Sequence, residues 1–256
     1  MNIQEVAQTQ ELPVTKKRLD LVIHDRRPDL SRSLIQSWIK QGLVTVAGVV
    51  ITKNGILVST DSDIVLQHDQ PKYVSRSGAK LEQALQDFAL DVTGLHALDI
   101  GLSTGGFTDC LLQHGIAHVT GVDVGTDQVH QKIKHDARVT VMEQTDIRDC
   151  LGRLDQFDFI CVDVSFISVT KIIDVVVRLL KPAGQLVILI KPQFETVQKL
   201  LARGGIVKDA VLRESIMKEV LEKIEHVGLS LQASVASTTI GGDGNVEYIT
   251  YFKKTV

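Results

Sequence analysis

The chain has 256 residues, 44% of them hydrophobic, with 28 Lys/Arg against 31 Asp/Glu and a net charge of −3. That length suits a small module beside a larger one, and the apolar content is enough for a sizeable core. Cys110, Cys150 and Cys161 are too widely spaced for a disulfide framework or a C-x-x-C metal pattern, and no apolar run approaches the ~18 residues of a membrane span.

Residues 1–15 read as a polar tail without the basic-then-apolar layout of a secretory signal, so a reduced, cytoplasmic setting is expected. The small net charge hides an asymmetry. Residues 15–40 hold seven Lys/Arg and three Asp, a local +4 that leaves −7 for the remainder. Such a patch suits an anionic partner, while a merely solvated basic face is the plainer reading.

Residues 16–66 read as two helices followed by short strands. Leu19, Val22 and Ile23 have helical spacing. After Pro28, Ser31 can cap a second helix that places Leu34, Ile35, Trp38 and Ile39 on one face, and Gly42 ends it. Val44 and Val46 alternate, Ala47-Gly48 turns, Val49 to Ile51 returns, and Ile64 to Leu66 forms a further strand. Arg32, Gln36 and Lys40 are expected on the face away from the apolar stripe, open to solvent or phosphates.

Arg18-Leu19-Asp20, Ser31-Arg32, Ile39, Gly42-x-Val44-x-Val46-x-Gly48, Lys53, Val58 and Asp63 resemble the S4 RNA-binding domain. Ala47 stands where that family usually has asparagine. The resemblance implies a small α+β module that grips folded RNA by backbone and shape. Lys17, Arg18, Arg26, Arg27, Ser31, Arg32 and Lys40 are the candidate contacts within it, joined by Arg76 further along.

Residues 67–72 read as a polar linker. From residue 73 to 256, strands and helices alternate, which predicts an α/β domain with a mostly parallel sheet. Leu81, Ala84, Leu85 and Phe88 share a helix face. Strands are expected at 96–101, 119–124, 139–143, 159–164, 185–190, 231–236 and 248–252, with a helix over 209–227. The connection 237–247 is too short for a parallel crossover, so the last two strands should be antiparallel.

The first of these strands runs through Leu98-Asp-Ile-Gly-Leu-Ser-Thr-Gly-Gly-Phe107. A dinucleotide fingerprint, G-x-G-x-x-G, would need glycine at Ser103. Asp99 with Gly101-x-x-x-Gly105-Gly106 instead resembles the first motif of S-adenosylmethionine-dependent methyltransferases. A plain strand–turn–helix with structural glycines stays open as the alternative. The resemblance implies a class I methyltransferase, Rossmann-like in fold, that binds S-adenosyl-L-methionine. The loop Gly101, Ser103, Thr104, Gly105, Gly106 and Phe107 would cradle it. Asp123, next to Val124, would accept from the ribose hydroxyls, and Asp146, next to Ile147, would meet the adenine. Asp99 either contacts the methionine ammonium or only orients the loop.

Four charges break local rules. Lys80 stands in a helix first turn, where the macrodipole disfavours a cation. Asp163 and Lys191 close apolar strands, and Glu247 opens the last one after the flexible 241–245 loop. Singly each has a surface reading; together they imply one cleft. Their order resembles the K-D-K-E tetrad of FtsJ-type ribose 2′-O-methyltransferases. The words Tyr73-Val-Ser-Arg-Ser-Gly-Ala-Lys-Leu81, Asp163-Val-Ser-Phe-Ile-Ser168, Lys191-Pro-Gln-Phe-Glu195 and Gly244-Asn-Val-Glu-Tyr248 closely resemble the TlyA family, which joins an S4 domain to such a domain and methylates cytidine ribose in ribosomal RNA. Two departures stand out. Leu102 replaces a usual alanine and is expected to crowd the methionine end of the cofactor. Asp146 replaces a usual asparagine and puts the adenine contact in doubt.

The chemistry this implies is mostly positioning, with proton removal second. Lys191 is the expected base; free lysine titrates near ~10.4, so burial or a neighbouring cation such as Lys80 would have to lower it. Asp163 is expected to hold both lysines, and Glu247 to fix Lys191 or the ribose. Two other readings stand beside this one: a membrane-active protein, since some TlyA relatives are named haemolysins, and an RNA-binding protein whose second domain binds cofactor without turnover.

Overall fold

The computed structural model describes residues 15–67, 72–202, 204–239 and 244–255. It divides into two compact units, up to Pro71 and from Lys72. The expected tail up to residue 14, most of the expected linker and the glycine-rich stretch 240–243 lie outside the described residues.

The first unit runs β1 (Lys16–Arg18), α1 (Leu19–Arg26), α2 (Arg32–Lys40), β2 (Val44–Val46), β3 (Val49–Val50), β4 (Leu57–Ser59) and β5 (Ile64–Leu66). Ser31 caps α2 through its hydroxyl, which accepts from Leu34 N at 3.3 Å. Leu19, Val22 and Ile23 of α1 pack on Ile35, Trp38 and Ile39 of α2 over Val44 and Val58. β2 lies between β3 and β5, all antiparallel. The β2–β3 turn holds both Ala47 (φ 48°) and Gly48 (φ 78°) in the left-handed region that a two-residue hairpin of this type demands. An L-residue there costs roughly 1–2 kcal/mol, less for asparagine. The β1–β4 ribbon was not expected, because Lys16-Lys17-Arg18 reads as a charged lead-in rather than a strand.

The second unit runs α3 (Ser77–Asp87), β6 (His96–Ile100), α4 (Gly106–Gln113), β7 (His118–Val122), α5 (Gln131–Lys134), β8 (Val139–Met142), β9 (Phe157–Val162), α6 (Ile173–Leu179), β10 (Leu180–Ile190), α7 (Pro192–Glu195), α8 (Ala210–Glu225), β11 (Leu229–Ala236) and β12 (Tyr248–Lys254). Its seven strands are ordered β11-β12-β10-β9-β6-β7-β8. The five strands from β10 to β8 are parallel, and β12 is antiparallel to both its neighbours, as the short 237–247 connection requires. This is the α/β methyltransferase architecture with a small α+β S4 unit before it.

Strand periodicity fills both faces of the sheet. On β9, Ile160 and Val162 point to the side covered by Val176, Ile216 and Val220, while Phe159 and Cys161 point to the side covered by Leu81, Leu85, Phe107 and Leu111. β10 begins at Leu180, five residues before the expected start. Pro182 and Gly184 read as turn signals, but the strand bends through Ala183 (φ 56°) and resumes its pairing with β9 at Gln185. Strand order reverses between β6 and β9. Such a switch point leaves a crevice at the carboxyl ends of the strands.

Candidate active site

The register of the sheet delivers three of the four expected charges to one rim. Asp163 and Lys191 directly follow the parallel strands β9 and β10. Ile190 pairs with Tyr248 across an antiparallel ladder, so the start of β12 meets the end of β10, and Glu247 arrives beside Lys191. Lys80 comes from α3, which is tied to the sheet edge by Gln83: its amide donates to Ala236 O at 3.1 Å and accepts from Thr238 N at 2.9 Å. All four line one cleft of about 330 Å³ together with Gly101, Ser103, Thr104, Phe107 and Arg76.

The pairing inside the cleft differs from expectation. Lys80 forms a buried ion pair with Glu247. Lys191 Nζ lies 2.6 Å from Asp163 Oδ1 and donates to Ser165 Oγ at 3.0 Å. Asp163 therefore holds one lysine, not two, and Glu247 holds Lys80 rather than Lys191. The reason is topological, since α3 packs beside β12 and brings Lys80 to the acid that opens that strand. The pair also answers the unfavourable dipole at Lys80.

The glycine turn is shaped by close approach. Gly101 has φ 89°, and a Cβ there would collide with the main-chain carbonyl of Asp163, so the turn lies flush against the end of β9. Beyond it, Asp123 accepts from Ser103 N and Gly125 N, both at 2.7 Å, so its carboxylate fixes two backbone loops. Gly105 and Gly106 start α4 away from the cleft wall; Gly106 makes room for the hydroxyls of Ser75 and Ser77. Asp99 is fully buried below the turn, accepting from Thr108 Oγ1 at 2.7 Å and from Cys161 Sγ at 3.6 Å. Burial pushes its carboxyl up to about 7, with the Thr108 bond opposing and the nearby Asp163 charge adding. Of the two roles left open for Asp99, this position favours orienting the loop.

Leu102 also lines the cleft, but most of its side chain turns away from it toward Gly121. Only 2% exposed, its side chain fills the place a Cβ at Gly121 would take, with its Cδ2 2.7 Å from that point. Asp146 is engaged by Arg148 through two bonds of 3.0 and 2.6 Å, and it caps the following turn. Ile147 is core, and Val124 is exposed.

In the first unit the basic residues are less free than the sequence suggests. Arg18 and Arg32 reach the buried Asp20 at 3.0 and 3.4 Å, and Gln36 donates to it at 2.8 Å, so the expected phosphate-facing row bends inward. Lys17 pairs with Asp25 and Arg27 with Asp29, while Arg26 donates to the carbonyls of Thr60 and Ser62. Lys40 is exposed without a partner among the described residues, as is Arg76 on the cleft wall of the second unit.

Several site residues were quoted in the sequence motifs without a role. Ser165 is one. Glu195 is another: it accepts from Ser168 Oγ at 2.5 Å and Val169 N at 2.9 Å, which clamps the loop after β9 to α7. Asn245 accepts from Val207 N and donates to Gly205 O, bracing the approach to Glu247. Phe166 is 91% exposed at φ 65°, with its ring 5.1 Å from that of Phe194. Gln193 lines the cleft with a buried carboxamide that bonds no group among the described residues. The only sequence signal for these was adjacency to charged strand ends.

Comparison with known proteins agrees with this geometry. Residues 73–254 match the FtsJ-like methyltransferase family and residues 17–65 the S4 domain. The chain is 40% identical to Hemolysin A of Brachyspira hyodysenteriae, across 92% of this chain and 99% of that one. It is 33% identical to the 16S/23S rRNA (cytidine-2′-O)-methyltransferase TlyA of Mycobacterium tuberculosis, across 93% and 90%. A solved structure of a candidate hemolysin from Streptococcus thermophilus superposes with a TM-score of 0.73 at 35% identity, covering 94% of this chain and 89% of that one. With an S4 unit, an FtsJ-like domain and relatives of this identity along nearly its full length, the chain belongs to the TlyA family of methyltransferases.

Proposed function

We propose that this protein transfers a methyl group from S-adenosyl-L-methionine to a ribose 2′-hydroxyl, that of a cytidine, in ribosomal RNA. The observation that carries this reading is Lys191: its amine is fixed by Asp163 and Ser165 in a cleft that also holds the glycine turn and the Lys80–Glu247 pair.

The residues present fit the cofactor. The cleft volume falls in the ~300–1,000 Å³ range of small-molecule sites, and the turn at Gly101 leaves bare backbone facing it. Gly101, Ser103, Thr104 and Phe107 would hold the cofactor from the loop side, with Asp123 and the Asp146–Ile147 turn toward its nucleoside. When bound, S-adenosyl-L-methionine supplies an electrophilic methyl group and departs as a neutral thioether. The chain does the rest. Lys191 first gives up its own ammonium proton to solvent and then, as the neutral amine, takes the ribose hydroxyl's proton at Nζ while that oxygen gains the methyl group; Asp163 and Ser165 keep the amine in place, and Lys80 with Glu247 forms the adjoining wall. Phe166 offers a flat apolar face at the rim on which an unstacked base can lie. The S4 unit adds sequence-independent grip on folded RNA.

The test is to incubate unmodified ribosomal subunits with methyl-labelled S-adenosyl-L-methionine and map the product. Label at a cytidine that resists alkaline cleavage on its 3′ side is expected, lost with Lys191→Ala. Label on a base instead would refute the reading. A lysis assay with the purified protein and its Lys191→Ala variant separates this activity from the one in the relative's name.

A further inference from the structure

Gln193 is the one buried carboxamide in the cleft to which the mechanism above gives no task. It is only 8% exposed, its Oε1 is shut from solvent, and neither end of the amide has a partner among the described residues. Proteins rarely bury such a group unless something else completes its bonding. Three features say what does.

The first is position. Gln193 follows β10, and β9 separates that strand from β6, which carries the glycine turn. The amide thus belongs to the substrate half of the cleft. The second is its neighbours in the chain. Two residues earlier stands Lys191, the base of the mechanism proposed above, which donates to Ser165 Oγ; one residue later stands Phe194, which packs on the exposed Phe166. The third is chemistry. A carboxamide offers a donor and an acceptor side by side. Phosphate oxygens only accept, and the target hydroxyl is engaged by Lys191. In a nucleotide, the remaining group that presents an acceptor beside a donor is the edge of the base.

We infer that Gln193 is a specificity-determining residue that hydrogen-bonds the Watson–Crick edge of the target base, Nε2 donating to ring N3 of cytosine and Oε1 accepting from its exocyclic amine. This rests on the ribose-methylation reading above. The incoming base would satisfy an acceptor that is otherwise orphaned.

The experiment compares single-turnover methylation of two rRNA fragments, one carrying the mapped target nucleotide intact and one with its base removed. Wild-type protein should lose more than about tenfold on the base-less RNA, which forfeits both the Gln193 contacts and the stacking on Phe166. Gln193→Met should lose about tenfold on intact RNA and, on base-less RNA, match the wild-type protein, with its affinity for S-adenosyl-L-methionine unchanged. Gln193→Glu, which keeps acceptors but no donor, should fall between. An equal penalty for Gln193→Met on both RNAs, or a loss of cofactor affinity, would overturn the assignment in favour of a structural role. Absence of any ribose methylation by the wild-type protein would instead overturn the underlying reading, and is distinguished by the first measurement alone.

Discussion

Asp20 in the S4 unit and Asp99 in the methyltransferase unit are equally shut from solvent, yet they sit at opposite ends of the carboxylate range. Burial raises both. Around Asp20 the bonds from Arg18, Gln36 and Arg32 outweigh it and hold the group near 2. Asp99 has a hydroxyl and a thiol for partners, with Asp163 adding repulsion, and stands near 7. A buried charge costs several kcal/mol unless other charges and donors compensate it. The S4 unit supplies that compensation and gains a clamp between its two helices. The methyltransferase unit spends its cations inside the cleft, on Glu247 and Asp163, and leaves the acid beneath the glycine turn poorly served.

The largest test of this contrast is Lys191→Ala. If the cleft charges serve chemistry, methyl transfer should fall by about 10²–10⁴-fold, the range for a lost general base, while equilibrium dialysis shows cofactor affinity kept. Asp20→Asn comes next. It strips a charge that three donors are built around and should cost about 2–3 kcal/mol in denaturant titrations at neutral pH. Asp99→Asn should cost less than about 1 kcal/mol at pH 5 and raise stability at pH 8, because only above its shifted value does the wild-type group bear an uncompensated charge.

The same contrast predicts opposite pH slopes. Asp20 has a depressed value, so its contribution is full above about 4 and lost as pH falls through about 2. Asp99 has a raised value, so the protein binds its proton more tightly folded than unfolded; stability is full below about 4 and lost as pH rises through about 7. Unfolding midpoints measured across pH should flatten in the upper window for Asp99→Asn and in the lower for Asp20→Asn. The smallest effect belongs to Ala47→Asn in the S4 hairpin, which should stabilise by about 0.5–1 kcal/mol by relieving a left-handed alanine.

These contrasts also mark where the sequence was readable. The alternation of strands and helices, the Ser31 cap and the antiparallel close of the sheet follow from local periodicity and connection length. The four cleft charges were visible because each violates a local rule. Their pairing was not, because it depends on which strand end α3 reaches, a matter of sheet order. Asp20 misled for a related reason: Arg32 and Gln36 sit on a face of α2 that looks solvent-directed, and Arg18 at the end of β1 reads as free, until α1 and α2 pack together. Gln193 and Ser165 carry no anomaly of their own, and only the assembled cleft gives them meaning.

The contact of Leu102 with Gly121 reaches beyond packing. Leu102, in the turn after β6, fits over Gly121 of the neighbouring strand β7, so neither position is free to drift alone. A smaller residue at 102 would leave a hollow under the cofactor loop, and any side chain at 121 would lift that loop out of place. A side chain at 121 thus calls for a smaller one at 102, so the two positions carry a single packing constraint within the catalytic domain.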